Sequence, residues 1–178
     1  MADRMPVPLG LLVGIPGSGK SSWARAFVAA HPGYCVVSTD ALRAELYGDE
    51  SIQGDWSQIW QQVLGQWRSG VAAIRRGELA GVIYDATNAR RRHRREVIGA
   101  ARQVGFDPIT LVWLDVPLGL ALDRNGVRSH PVPTPVITAM HRQLRGAPPS
   151  IQEGVDRVLT LGPDWYPGLP SESTDPLR

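Results

Sequence analysis

Eight consecutive residues, Gly14-Ile15-Pro16-Gly17-Ser18-Gly19-Lys20-Ser21, set three glycines, a lysine and a hydroxyl in the spacing G-x-x-x-x-G-K-[ST]. Each residue type has a reason to be there. Gly14, Gly17 and Gly19 allow a tight backbone turn whose N–H groups approach an anion closely. A helix starting at Lys20 points its positive end at the same anion. The Lys20 ammonium reaches the β- and γ-phosphates of a nucleotide, and the Ser21 hydroxyl can ligate magnesium. Ser18 and Ser22 complete the residues expected against the nucleotide. The context agrees: an apolar run, Leu9 to Val13, precedes the loop, and the helical pattern Ser22 to Ala30 follows it. An ordinary glycine-rich turn would need neither flank. Lys20 is also the only lysine in the chain, every other non-histidine cation being arginine. A flexible point charge is kept at the one place where it suits a phosphate.

Further groups able to do chemistry follow predicted strand ends. In Ser38-Thr39-Asp40-Ala41-Leu42-Arg43, Asp40 sits where a base could take a proton from an acceptor hydroxyl. Arg43, one helical turn on, could hold an anionic group of that acceptor. The competing reading is a helix cap beside a solvent-facing arginine. Asp85 ends an apolar strand and can hold magnesium through water, or merely cap the next helix, as could Asn88; Thr87 lies between them. Arg90-Arg91-Arg92-His93-Arg94-Arg95 places five arginines in six positions, too many for one helix face. One or two could meet nucleic-acid phosphate while the rest are solvated. Arg124 and Arg128 flank the start of a mobile loop and suit a lid closing on a transferring phosphate. His130 and His141 are too isolated to suggest a metal site, and His31 sits at a helix end, where a turn or dipole role is enough.

The elements that position these groups alternate. Strands are expected at about 8–14, 34–38, 81–85, 108–115 and 155–161. Helices are expected at about 20–30, 41–47 (capped by Thr39 or Asp40), 55–76, from after Asn88 to 104, 118–125 and 134–145. The helix over 55–76 carries Ile59, Val63, Trp67, Val71 and Ile74 on one stripe. Trp56, Trp60 and Trp67 give it aromatic weight, read as core packing, with base stacking by one of them as the alternative. Five strands alternating with helices imply an α/β parallel sheet with right-handed crossovers, whose ligands lie beyond the carboxyl ends of the strands. Gly14, Asp40, Asp85 and Asp115 all fall at or just past such ends, which points to one site. Residues 1–7 read as a loose leader and 163–178 as a Pro-rich, disordered tail.

Composition bounds the rest. At 178 residues and 43% apolar, the chain reads as one globular domain over 1–162. No run approaches the ~18 apolar residues of a membrane span, and no signal peptide is evident, so no membrane partner is expected. The single cysteine, Cys35, cannot form an internal disulfide; it reads as a small buried hydrophobe in a cytoplasmic protein. Net charge is only +2, but eight arginines lie from Arg75 to Arg102, a clustering that fits an anionic partner.

With these residues in view, the chain resembles the phage-type polynucleotide 5′-kinases, in the adenylate-kinase-like group of phosphate-loop phosphotransferases. The carriers are Gly14 to Ala24, Ser38 to Arg43, Tyr84-Asp85-Ala86-Thr87-Asn88 and Arg124-Asn125-Gly126-Val127-Arg128, and the resemblance runs from about residue 8 to about 161. It implies a three-layer P-loop NTPase fold, a five-stranded parallel sheet in the order 2-3-1-4-5 with helices on both faces and an arginine lid. It also implies transfer of the γ-phosphate of ATP, with Mg2+, to the 5′-hydroxyl end of DNA or RNA. Lys20 and Ser21 would serve ATP and magnesium, with Asp85 beside the metal. Asp40 would be the general base, and Arg43 would contact the acceptor phosphate, with Asp85, Thr87 and Asn88 on the acceptor side. Arg124 and Arg128 would stabilise the transferred group. The family's frequent 3′-phosphatase or ligase partner domain is not expected in this sequence. Segment 49–69, where the family builds part of its acceptor site, departs from the pattern in its tryptophan and glutamine content. A kinase of a nucleoside, sugar or antibiotic hydroxyl is the alternative, and a non-catalytic nucleotide-binding protein the third reading.

Overall fold

The central strand β1 (Leu9–Val13) is buried at every residue, as a strand covered on both faces must be. In the computed structural model, which describes residues 5–165 and 175–177, β1 pairs with β3 (Gly81–Asp85) on one side and β4 (Ile109–Leu114) on the other. The edges are β2 (Tyr34–Ser38) and β5 (Arg157–Leu161), and the five parallel strands run in the order β2-β3-β1-β4-β5. The register sets Leu9 opposite both Val82 and Ile109. The helices are α1 (Lys20–Ala30), α2 (Thr39–Tyr47), α3 (Trp56–Arg75), α4 (Arg91–Val104), α5 (Leu118–Gly126) and α6 (Thr134–Gly146).

Alternation along the strands divides the core into two layers. Leu9, Leu11, Val13, Val82, Tyr84, Ile109 and Leu111 face the larger cluster, filled by the stripe Ile59, Val63, Trp67, Val71 and Ile74 of α3 with Val97, Ile98 and Ala101 of α4. Leu12, Ile83, Val112 and Leu114 face the other layer, where α1 supplies Trp23, Ala24 and Phe27. Leu177 is fully buried in this second layer. The tail expected over 163–178 falls mainly on residues 166–174 and 178, outside the described residues, but its placed end at 175–177 is packed. Of the expected leader, residues 1–4 lie outside the described residues, while Val7 is 4% exposed and pairs antiparallel with Asp107.

Local chemistry moves two helix starts. Ser38, not Thr39 or Asp40, caps α2, its Oγ accepting from the Ala41 N–H at 3.3 Å. Asp40 thereby falls in the first helical turn, its carboxylate not used as the cap. Neither Asp85 nor Asn88 caps α4; Arg90 occupies the cap position without a side-chain bond.

The arginine run conceals a structural joint. Arg94 is fully buried, and its guanidinium grips Glu153 through two bonds of 2.8 and 2.7 Å. It also donates to the carbonyls of Asn88, Ala89 and Ala147. One side chain thus ties the segment after β3 to the end of α6 and to a 3-10 turn, Ile151–Glu153, that was not anticipated. Removing one partner leaves a buried charge uncompensated. Glu153→Ala is therefore expected to cost about 3–5 kcal/mol in urea unfolding. A change below about 1 kcal/mol, the range of a surface pair, would contradict this role.

Candidate functional site

The phosphate loop leaves β1 and bends back on itself. The Ser18 N–H donates to the Ile15 carbonyl at 3.1 Å, and Gly17 and Gly19 have φ of 80° and 96°. Gly17 is required twice over: its conformation disfavours a side chain, and a Cβ there would stand 2.1 Å from the Ala121 carbonyl oxygen of α5. Gly14 donates to the Thr87 carbonyl at 3.1 Å, which fixes the loop to the end of β3. The Lys20 ammonium donates to the Ile15 carbonyl at 3.1 Å, across the mouth of the loop. Burial pulls its pKa down, while the carboxylates of Asp85 and Asp40 oppose that shift. Lys20 thus lies within the field of both carboxylates.

Beyond the strand ends lies a cleft of about 950 Å³. Its walls include Gly17, Gly19, Lys20, Ser21 and Ser22 from the loop and α1. Asp40 and Arg43 come from α2, Asp85, Thr87 and Asn88 from the end of β3, and Arg124 and Arg128 from α5 and the turn after it. Of the sequence-predicted residues, Gly14 and Ser18 stand behind this lining, Ser18 fully buried with no partner for its hydroxyl.

Ser21 Oγ donates to Asp85 Oδ2 at 2.7 Å. The pair presents two hard oxygens beside the phosphate loop, the donor type that Mg2+ takes when substrate phosphates and water complete its shell. The described residues contain no cluster of three or more His, Cys, Asp or Glu able to hold a metal unaided. These donors therefore fit a cation that arrives with a nucleotide.

Asn88 lines the cleft and also has a structural bond. It is buried, with φ of 50°, and its amide donates to the Leu12 carbonyl at 2.8 Å. It secures the crossing of β3 and β1 under the cleft. Asp40 and Arg43 meet each other: Arg43 Nη1 donates to Asp40 Oδ1 at 2.7 Å. The Arg43 side chain is 15% exposed against 50% for Asp40. Its Nε is buried without a partner, so donors remain after Asp40 is bound.

The Arg124 and Arg128 side chains reach the cleft from the end of α5. Arg128 lies 3.6 Å from Glu50, on the segment following α2. Asn125 between them holds the loop closed, its side chain exchanging two hydrogen bonds with the backbone of Val132. Glu50, Met140 and Gln143 also line the cleft and were not singled out from sequence. Only Arg90 and His93 of the arginine-rich run line it. Asp115 does not join the site: Arg145 takes its carboxylate at 2.6 Å, away from the cleft. Among the described residues no helix is long and apolar enough to cross a membrane.

Comparison with known proteins agrees with this geometry. Over 137 residues the chain is 26% identical to the L-seryl-tRNA(Sec) kinase of Methanococcus maripaludis, 75% of this chain and 51% of that protein. It thus spans about half the length of that curated relative. A chain of the Pnkp1/Rnl/Hen1 RNA repair complex superposes with a TM-score of 0.71 at 23% identity, covering 87% of this chain and 48% of that one. A sugar kinase from a Janibacter species superposes with a TM-score of 0.60 at 18% identity, covering 89% and 86%. Residues 9–147 match the family model described as AAA domain, AAA_33. The chain belongs to that family.

Proposed function

We propose that this chain is a P-loop kinase that transfers the γ-phosphate of ATP to the 5′-hydroxyl end of DNA or RNA. The observation that carries the reading is the Asp40–Arg43 pair, set across one cleft from Lys20 and the Ser21–Asp85 pair. Two similar proteins are linked to RNA by name: one is a kinase of L-seryl-tRNA(Sec), the other belongs to an RNA repair complex.

Phosphoryl transfer asks little covalent chemistry of the protein, so positioning and charge do most of the work. The loop N–H groups and Lys20 hold the β- and γ-phosphates. Magnesium, when bound at Ser21 and Asp85, neutralises charge on those phosphates. The Asp40 carboxylate, oriented by Arg43, hydrogen-bonds the acceptor hydroxyl and takes its proton as that oxygen bonds to the γ-phosphorus. The bond from the γ-phosphorus to the bridging oxygen breaks, and ADP leaves. Arg124 and Arg128 face the charge spread over the moving phosphoryl group.

Arg43 separates this function from the second reading, a kinase of a small-molecule hydroxyl, which the sugar kinase of the same fold keeps in view. A polynucleotide carries a phosphate 3′ to its terminal nucleoside; a free nucleoside does not. Arg43 lines the cleft with a guanidinium that Asp40 engages at Nη1, and its charge suits that phosphate. A nucleoside 3′-monophosphate is expected to outperform the bare nucleoside, and Arg43→Ala to erase most of that advantage. The size is that of a charge-assisted bond, roughly 1.5–3 kcal/mol in kcat/KM. Equal activity of the wild type on both acceptors would favour the small-molecule reading.

A further inference from the structure

We propose that Trp56 is the stacking platform for the base of the acceptor's terminal nucleotide, an inference that rests on the polynucleotide reading of the same cleft. Trp56 stands apart from the other rings. It is 41% exposed, the one aromatic among the exposed large hydrophobic side chains of the described residues. Trp67 and Trp23, by contrast, are 0% and 2% exposed. Its indole lines the cleft in company with Asp40, Arg43, Arg90 and His93.

This exposed ring is rigidly supported. Trp56 stacks on Trp60 with centroids 6.0 Å apart and planes at 20°. Trp60 meets Trp67 edge-on at 5.5 Å, and Trp67 meets Tyr84 and Phe106 at 5.1 and 5.7 Å. An aromatic column thus runs from the core to the rim of the cleft, and Trp56 is its open end. The turn before α3 is held as firmly. The Tyr47 hydroxyl accepts from the Asp55 N–H at 2.9 Å and donates to Gln58 at 3.0 Å. Gly54, with φ of 60°, lies so close beneath the Tyr47 ring that a Cβ would come within 2.1 Å of it. Tyr47 ends α2, the helix of Asp40 and Arg43. The platform is therefore fastened to the element that places the proposed base.

A flat, preordered indole beside cations is what a nucleobase flanked by phosphates requires. Every base has a π-face, so stacking is sequence-tolerant, as an end-directed kinase needs. Arg43 and Arg90, which line the same cleft, supply charge for the phosphate backbone. His93 stands against Trp56 at 5.7 Å and 63°. A sugar or other non-planar acceptor would gain little from such a surface.

The test compares two 5′-hydroxyl oligonucleotides, one with a normal 5′-terminal base and one abasic there, using the full chain with ATP and magnesium. Trp56→Ala is expected to raise KM about tenfold or more for the base-bearing acceptor, the size of a lost base–aromatic stack. KM for the abasic acceptor should stay as in the wild type, and Trp56→Phe should recover most of the loss. A 5′-terminal 2-aminopurine should be quenched on binding the wild type and remain bright with Trp56→Ala. Equal KM shifts on both acceptors, or no shift, would overturn the platform while leaving the polynucleotide function intact. Absence of transfer to either oligonucleotide by the wild type would overturn that function, and the platform with it, before any variant is measured.

Discussion

Lys20→Ala is expected to lower kcat/KM for phosphoryl transfer by on the order of 10³, the scale of removing one preorganised charge stabiliser from a closed site. Lys20 is the chain's only lysine, and its ammonium lies at the mouth of the loop, bonded to the Ile15 carbonyl. No neighbouring ammonium can replace it. Arginine is no substitute either, because a planar fork does not fit where a compact point charge spans two phosphates. The fold should survive, since the ammonium makes one side-chain bond and the glycine turn is held independently by Ser18 to Ile15 and by Gly14 to Thr87. Steady-state kinetics and an unfolding curve on the same variant check both halves. Turnover within a few-fold of the wild type would remove Lys20 from the chemistry.

The second large effect is expected from the arginines at the end of α5. Arg124→Ala and Arg128→Ala should each lower kcat by about 10³-fold or more, the range of a positioned arginine on a transferring phosphoryl group. ATP binding should weaken far less, because charge on the moving group is greatest in the transition state. Arg128 rests 3.6 Å from Glu50, an exposed contact that binding of a triphosphate can exchange for a stronger one. Separate measurement of kcat and of ATP affinity by titration checks the split. A variant with weakened ATP affinity and unchanged kcat would contradict it.

Much of this architecture is legible in the chain because the governing signals are local. Apolar runs of five to six residues alternating with helical periodicity give the parallel sheet, and the loop from Gly14 to Ser21 marks where its ligand sits. What escaped depends on residues far apart. The Arg94–Glu153 pair joins positions 59 apart, and nothing in Arg90 to Arg95 distinguishes a buried guanidinium from a solvated one. Asp115 follows a strand end as Asp85 does, yet Arg145, 30 residues on, withdraws it from the site. Asn125 offers no signal in sequence of its two bonds to Val132. The cap of α2 was misplaced for another reason: Ser38, Thr39 and Asp40 are all capping residues, so only geometry selects among them. Trp56 shares its stripe with Trp60 and Trp67, and periodicity alone cannot tell that one ring of the three opens on the cleft.

The most direct measurement offers γ-labelled ATP, with magnesium, to a panel of acceptors. The panel holds a 5′-hydroxyl oligodeoxynucleotide, a 5′-hydroxyl oligoribonucleotide, the same two already 5′-phosphorylated, free nucleosides and simple sugars. The expected result is label at the 5′ end of the hydroxyl-ended oligonucleotides, none on the 5′-phosphorylated ones, and little on nucleosides or sugars. Asp40→Asn, which keeps the shape and removes the base, should lower the rate by about 10²–10⁴ with ATP affinity nearly intact. Label on nucleosides or sugars with none on oligonucleotides would contradict the account.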